Sequence, residues 1–303
     1  MDRLQAMKTF VTVVETGGFT AAARKLDISL SVVSRIVNEL ETHLGVRLLT
    51  RTTRLVRMTD TGAAYFENCR RLLSEIDEAE LAATGAHAAP RGQLAITASV
   101  LFGAAYVMPI VTEYLNRYPE VDATCLFLDR IVNLVDEGID VGIRIGTLPD
   151  SSLQAVRVGQ VRRVVCAAPS YLDRHGAPQT PDDLAVHATI LPNGANNTAE
   201  WRFNRDGTPV VTRLQPRLTT TTNDSAIAAA VSGFGVVRLL SYQVARQLRD
   251  GSLRIVLADV EPPPLPINVI HREGRHATRK VRAFLDLAIE TLRADSTLNA
   301  PAS

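Results

Sequence analysis

Residues 18–45 read GFTAAARKLDISLSVVSRIVNELETHLG, and their punctuation divides them into two helices around a short polar break. Gly17 and Gly18 stop whatever precedes them, and Thr20 is a candidate N-cap for the small-residue run Ala21, Ala22, Ala23 through Leu26. A hydroxyl there would accept an amide proton that the first helical turn leaves unpaired. Asp27-Ile28 breaks the pattern. Ser29 is a second N-cap candidate, and Gly45 suits the left-handed residue that ends a helix. In the second helix Val33, Val37, Leu40 and Leu44 fall at i, i+4, i+7 and i+11, an apolar stripe that must face a core. The opposite face carries Leu30, Ser31, Ser34, Arg35 and Asn38. Hydroxyls, an amide and a guanidinium reach phosphates and base edges, and a helix fits the major groove of DNA. The alternative for this face alone is an ordinary solvated surface.

The following segment decides between the two. Leu48-Leu49 and Leu55-Val56 are spaced as a short hairpin carrying Arg47, Arg51, Arg54 and Arg57 among Thr50, Thr52 and Thr53, with no acid. Such a wing suits the backbone and minor groove of DNA. Leu4, Met7, Phe10, Val11 and Val14 give the first helix its own apolar face, whose partner is the Val33/Val37/Leu40 stripe. The expected result is a winged helix-turn-helix over residues 1–59.

Here the chain resembles the LysR-type transcriptional regulators. The resemblance runs through GGFTAAARKL, the Ser-x-Ser-x-Val-Ser-Arg run from Ser29 to Arg35, LETHLGVRLLTRTTR, and MTDTG from Met58 to Gly62. Two departures fall on the reading face: Leu30 stands where the family often has Gln, and Ile36 where it often has a polar residue. The resemblance implies binding of double-stranded DNA, through Thr20, Ser29, Leu30, Ser31, Ser34, Arg35 and Asn38 on the helices and Arg51, Thr52, Thr53 and Arg54 on the wing.

The charge is placed accordingly. The net charge of the 303-residue chain is only +1, so the whole molecule exerts no strong field on nucleic acid. Residues 1–60 nevertheless hold nine Lys/Arg against six Asp/Glu, whereas residues 61–80 hold two against five. The 46% apolar content is that of a globular protein with room for two or three domains. The N-terminal residues lack the charged lead, apolar core and small-residue cleavage site of an export signal, and no apolar run approaches the roughly 20 residues of a membrane span, so a cytoplasmic location without a membrane partner is expected. Cys69, Cys125 and Cys166 are odd in number and widely spaced, which argues against a disulfide framework or a zinc site. Buried inert thiols are expected, with a redox pair of Cys125 and Cys166 as the alternative.

From Thr59 a helix of about 25 residues, roughly 37 Å long, runs toward Pro90. Phe66, Cys69, Leu73, Ile76, Glu80 and Ala83 alternate at spacings of three and four, a short heptad-like seam. A partner helix from a second copy accounts for it, as the resemblance also implies; packing on its own domain is the other reading. Residues 60–91 are thus expected to be a dimerising linker, closed by the small-residue stretch Gly85 to Gly92.

Beyond Gly92, strands and helices alternate: strands at Leu94 to Ala98, Ala123 to Leu128 and Val141 to Ile145, and helices at Leu101 to Tyr118 and Ile131 to Glu137. This pattern reads as parallel strands with crossover helices. A second set follows from Arg163 to Leu239, and the chain crosses back at Pro262 to Pro266 into a strand from Ile267 to His271 and a helix from Ala277 to Leu292. Two such α/β lobes, about 92–161 with 267–293 and about 162–266, make a two-lobe periplasmic-binding-protein-like domain of type 2 over residues 92–303. The resemblance continues here through RYPEV, LVDEGIDVGIRIG, CAAPSYL and GFGVV, and departs from the family at His271-Arg272, where an aromatic-Pro pair is usual.

Ligands of such sheets bind outside the carboxyl ends of the strands, which singles out Ser99, Val100, Asp129 and Asn223, with Asn193 from the second lobe. Neutral hydrogen-bonding groups beside helix starts favour an acidic guest, and plain helix capping is the alternative for Asp129. No cofactor motif, nucleophile elbow, phosphate loop or zinc motif occurs. The expected protein is therefore a transcription factor and not an enzyme, with DNA, a small organic effector, further copies of itself as a dimer or tetramer, and optionally RNA polymerase as partners. The rivals are a solute-binding protein with a helical appendage and an enzyme on a doubly wound fold.

Overall fold

The computed structural model describes residues 2–51, 56–83, 89–148, 153–192, 199–272 and 277–298, leaving aside the side chains of 51, 74–75, 77–79 and 81–83. The chain divides into two compact units, the first formed mainly by residues 1–93 and the second by most of the remainder.

In the first unit, α1 (Arg3–Glu15), α2 (Phe19–Leu26) and α3 (Leu30–Leu44) precede a two-stranded antiparallel hairpin, β1 (Leu49–Arg51) and β2 (Val56–Met58), and the long helix α4 (Asp60–Ala83). Ser29 caps α3 by accepting from the Val32 amide, and Gly45 ends that helix at φ 71°. Thr20 is not a cap: α2 begins directly after Gly18, whose extended backbone lets the helix start two residues earlier, and no side chain closes its end. Val33, Val37 and Leu40 are buried as the stripe requires, together with Phe10 and Val13 of α1.

The α4 seam meets a different partner from the one its spacing suggests. Phe66, Cys69 and Leu73 are buried in this same core, with the Phe10 ring 6.4 Å from Phe66 and 5.7 Å from Tyr65. The first two turns of the seam therefore stabilise the helix-turn-helix itself. Glu41 joins α3 to the hairpin: its nearly fully buried carboxylate accepts from the Leu48 and Leu49 amides at 2.8 and 3.0 Å, satisfying donors that burial would otherwise leave unpaired.

The second unit contains two five-stranded sheets. One has the order β4-β3-β5-β14-β6, from β3 (Gly92–Ala98), β4 (Val121–Phe127), β5 (Val141–Ile145), β6 (Gln154–Val161) and β14 (Leu265–His271). The other has the order β11-β8-β12-β7-β13, from β7 (Arg163–Ala167), β8 (Thr189–Pro192), β11 (Leu218–Thr220), β12 (Val236–Leu240) and β13 (Arg254–Val256), and a hairpin of β9 (Glu200–Arg205) and β10 (Thr208–Arg213) stands beside it. The helices are α5 (Val100–Phe102), α6 (Met108–Arg117), α7 (Pro169–His175), α8 (Asn223–Val231), α9 (Ala245–Arg249) and α10 (Arg279–Ala294).

Four sequence expectations change. The sheets are mixed, not wholly parallel: β3 and β5 are parallel, but β14 runs antiparallel to β5 and β6, and β12 antiparallel to β7. Strands joined by a crossover helix share a direction, whereas one that returns from the other sheet enters from the opposite end. Residues Ile131 to Glu137 form turns and no helix. Asn133 draws the Val135 amide onto its own side chain, the local competition that makes Asn a poor helix residue. Residues 154–161, where no strand is expected, form the edge strand β6. The helix expected from Leu101 to Tyr118 is also interrupted, by a π-helical turn from Gly103 to Val107, where a Cβ on Gly103 would overlap the Phe127 ring.

Candidate functional sites

The outer face of α3 is open. Ser31, Ser34, Arg35, Asn38, Glu39, Thr42 and His43 line one polar groove along it. Ser29, Leu30, Ser31, Arg35 and Asn38 are exposed, and Ser34 is half-buried. The Ser29 and Ser31 hydroxyls are 2.9 Å apart. Arg35, whose side chain is 67% exposed, reaches Glu39 one turn on at 3.4 Å, a surface pair weak enough to exchange for a stronger anion. Thr20 is exposed on α2. Arg51 lies on β1, while Thr52, Thr53 and Arg54 fall outside the described residues. Sequence reasoning missed Glu39, Thr42 and His43, although continuing from Asn38 in steps of four along the same face would have reached Thr42.

The second candidate site is a cavity of about 390 Å³ lined from both sheets of the second unit. Ser99, Asp129 and Asn223 line it. Val100 does not, and Asn193 falls outside the described residues. The polar groups at this end are already engaged. Asp129 Oδ1 accepts from the Val100 amide at 3.0 Å, its Oδ2 accepts from Asn223 Nδ2 at 3.4 Å, and the Ser99 hydroxyl lies 3.3 Å from that of Tyr242. The expectation that Ser99 and Asn223 offer open hydrogen bonds to an acid differs from this arrangement: a carboxylate of the protein itself occupies the helix start. Burial pushes the Tyr242 hydroxyl up to about 12, so it stays protonated at neutral pH.

The cations lie elsewhere on the wall. Arg144 on β5, Arg163 on β7 and Arg238 on β12 all line the cavity, and sequence reasoning named none of them. Opposite registers Leu240↔Arg163 and Arg238↔Val165 put Arg163 and Arg238 on the same face of adjacent strands as diagonal neighbours. Arg238 lies over the Trp201 ring at 5.1 Å and donates to the Arg202 and Glu200 carbonyls at 3.5 Å. Burial, and then the charges of Arg163 and Arg202, push its guanidinium down to about 9. Burial also lowers Arg163 and Arg144. The legible signal was a charge inside each apolar strand, in RRVVCA and VVRLL. Among the described residues no group of three or more His, Cys, Asp or Glu could hold a metal ion, and no helix is long and apolar enough to cross a membrane.

Residues 4–63 match the family described as bacterial regulatory helix-turn-helix protein, lysR family, and residues 87–293 match the LysR substrate binding domain. An HTH-type transcriptional regulator of Xanthomonas campestris pv. campestris is 36% identical over 292 residues, 95% of this chain and 85% of that protein. The structure of CrgA, a LysR-type transcriptional regulator from Neisseria meningitidis, is similar with a TM-score of 0.61 at 31% identity, covering 95% of this chain and 98% of that one. The Vibrio cholerae virulence activator AphB is similar at a TM-score of 0.60 and 26% identity, over 95% and 98% of the two chains.

Proposed function

Because the chain belongs to the LysR family of DNA-binding transcriptional regulators, we propose that residues 1–59 read duplex DNA, residues 60–91 join two copies, and residues 92–303 take up a small organic effector in the cavity between the two sheets. The observation that carries the DNA reading is the division of α3: Val33, Val37 and Leu40 are at most 2% exposed, while the opposite face presents Ser31, Arg35 and Asn38 outward. A helix split in this way lies in the major groove, its short polar groups meeting base edges and the arginines of the 47–57 segment meeting phosphates. Purified protein mixed with sheared genomic DNA is expected to retain a small set of duplex fragments sharing a near-palindromic element. Uniform retention of all fragments would refute sequence reading by α3.

Pairing of two copies rests on the stripe of α4 beside the buried one. Leu72 is 39% exposed and Ile76 half-buried, one turn apart on one face, and a second copy set against that face would withdraw them from water. The double change Leu72→Asp, Ile76→Asp is expected to give a folded monomer that loses tight binding to two-half-site DNA. Leu73→Asp, by contrast, buries a charge in the core of the first unit and is expected to unfold it. Sedimentation together with circular dichroism separates these outcomes, and a double variant that still sediments with the wild-type mass would exclude this face.

An effector touching both sheets favours one arrangement of them by its difference in affinity for the two states. A coupling of about 1–3 kcal/mol suffices to alter DNA binding measurably.

A further inference from the structure

The chemistry of the effector is written on the two walls of the cavity. On one wall, Arg163 and Arg238 stand as neighbours with no acid at ion-pair distance among the described residues. Across the cavity, Arg144 on β5 of the other sheet adds a third cation, with one buried Nη2 that has no hydrogen-bond partner. Two like charges side by side in a half-buried wall raise each other's electrostatic cost, and a carboxylate between them offsets it with charge-assisted hydrogen bonds. Beside Arg144 the facing side carries an apolar patch: Val132, Leu134 and Ile270 belong to one buried cluster and line the same cavity. The acid end at Asp129 is closed by its own bonds to Val100 and Asn223, so it repels a guest's carboxylate and does not receive it.

We propose that the cavity selects a compact monocarboxylic acid, its carboxylate held by Arg163 and Arg238 and its apolar body against the Val132, Leu134 and Ile270 wall. This assignment rests on the reading of the cavity as the effector site. Such a guest joins the apolar patch of Val132, Leu134 and Ile270 to the Arg163/Arg238 pair on the other sheet, which a neutral or wholly polar molecule does not. Arg238 is held for the task by the Trp201 ring beneath it and by the Arg202 and Glu200 carbonyls, and each Nη carries a second N–H that a carboxylate can accept from.

The test uses the full-length protein, with benzoate as probe against benzamide, benzyl alcohol and succinate, read by calorimetry and by thermal shift. Benzoate is expected to bind at millimolar concentration or better, and the amide and alcohol at least about tenfold more weakly, the scale of losing a hydrogen bond to a charged group. Arg163→Gln and Arg238→Gln should each weaken benzoate by about tenfold or more. Arg238→Lys, which keeps the charge and the stem over Trp201, should lose less. The proposal is overturned if benzamide binds as tightly as benzoate, if succinate binds more tightly, if both Gln variants retain wild-type affinity, or if benzoate fails to bind. Leu148→Trp, which fills the cavity from its rim, distinguishes the two levels. A neutral compound whose binding that change abolishes overturns the acid assignment alone, whereas benzoate binding untouched by it lies elsewhere and overturns the cavity reading as well.

Discussion

A protein carrying Gly62→Ala is expected to melt its first unit about 10 °C or more below the wild type, the shift that about 3 kcal/mol of overpacking produces in a domain of this size. A Cβ at Gly62 would overlap the carbonyl oxygen of Leu48 and lie 2.8 Å from its carbonyl carbon. Neither side can give way cheaply. The Leu48 side chain is fully buried, its amide is held by Glu41, and its carbonyl accepts from the Thr59 amide at 2.9 Å. On the other side the Gly62 amide donates to the Thr59 hydroxyl at 2.9 Å, fixing the first turn of α4 against the strand. The methyl group therefore has to push a helix off a backbone pinned by two hydrogen bonds. Circular dichroism of the full-length protein on heating reads the outcome, and a variant that melts with the wild type would show that α4 meets Leu48 less closely.

Arg35→Ala is expected to lower affinity for the selected operator by roughly 5- to 150-fold while leaving affinity for unrelated duplexes nearly unchanged. That range corresponds to the 1–3 kcal/mol of discrimination carried by a good base contact. The present partner of Arg35 is Glu39, one turn away on the same groove. DNA must displace that carboxylate before the guanidinium can reach a base edge, and Glu39 itself opposes the phosphates. If α3 reads the operator as proposed, removing Arg35 removes a contact formed only on the correct sequence. Gel-shift titrations of operator and scrambled duplexes at one salt concentration decide it: equal losses on both would make Arg35 a phosphate contact, and no loss on either would move the reading face away from it.

Local chemistry was legible in the chain. The Val33/Val37/Leu40 stripe, the Ser29 cap and the left-handed Gly45 were all readable because each depends on residues within a few positions of itself, and the structure places all three as expected. The strands from Val141 to Ile145 and from Ile267 to His271 were legible for the same reason. Ile131 to Glu137 misled because its composition suits a helix, yet Asn133 satisfies the next amides from its own side chain. Periodicity also said truly that Phe66, Cys69 and Leu73 would be buried, but not against what; the answer lay in Phe10, more than fifty residues earlier.

By itself, then, the sequence determined a winged helix-turn-helix followed by two α/β lobes, and which face of α3 looks outward, since helical and strand periods and end-capping residues act over one or two turns of chain. The tertiary structure alone decided that Asp129 closes the helix start at Val100, that Gly62 must lack a side chain beneath Leu48, and that Arg163 and Arg238 stand side by side. The residues of these pairs are 14 to 75 positions apart in the chain. Nothing local distinguishes such residues from caps, flexible glycines or stray strand charges, because their roles arise from sheet register and close approach, which exist only once the whole unit has folded.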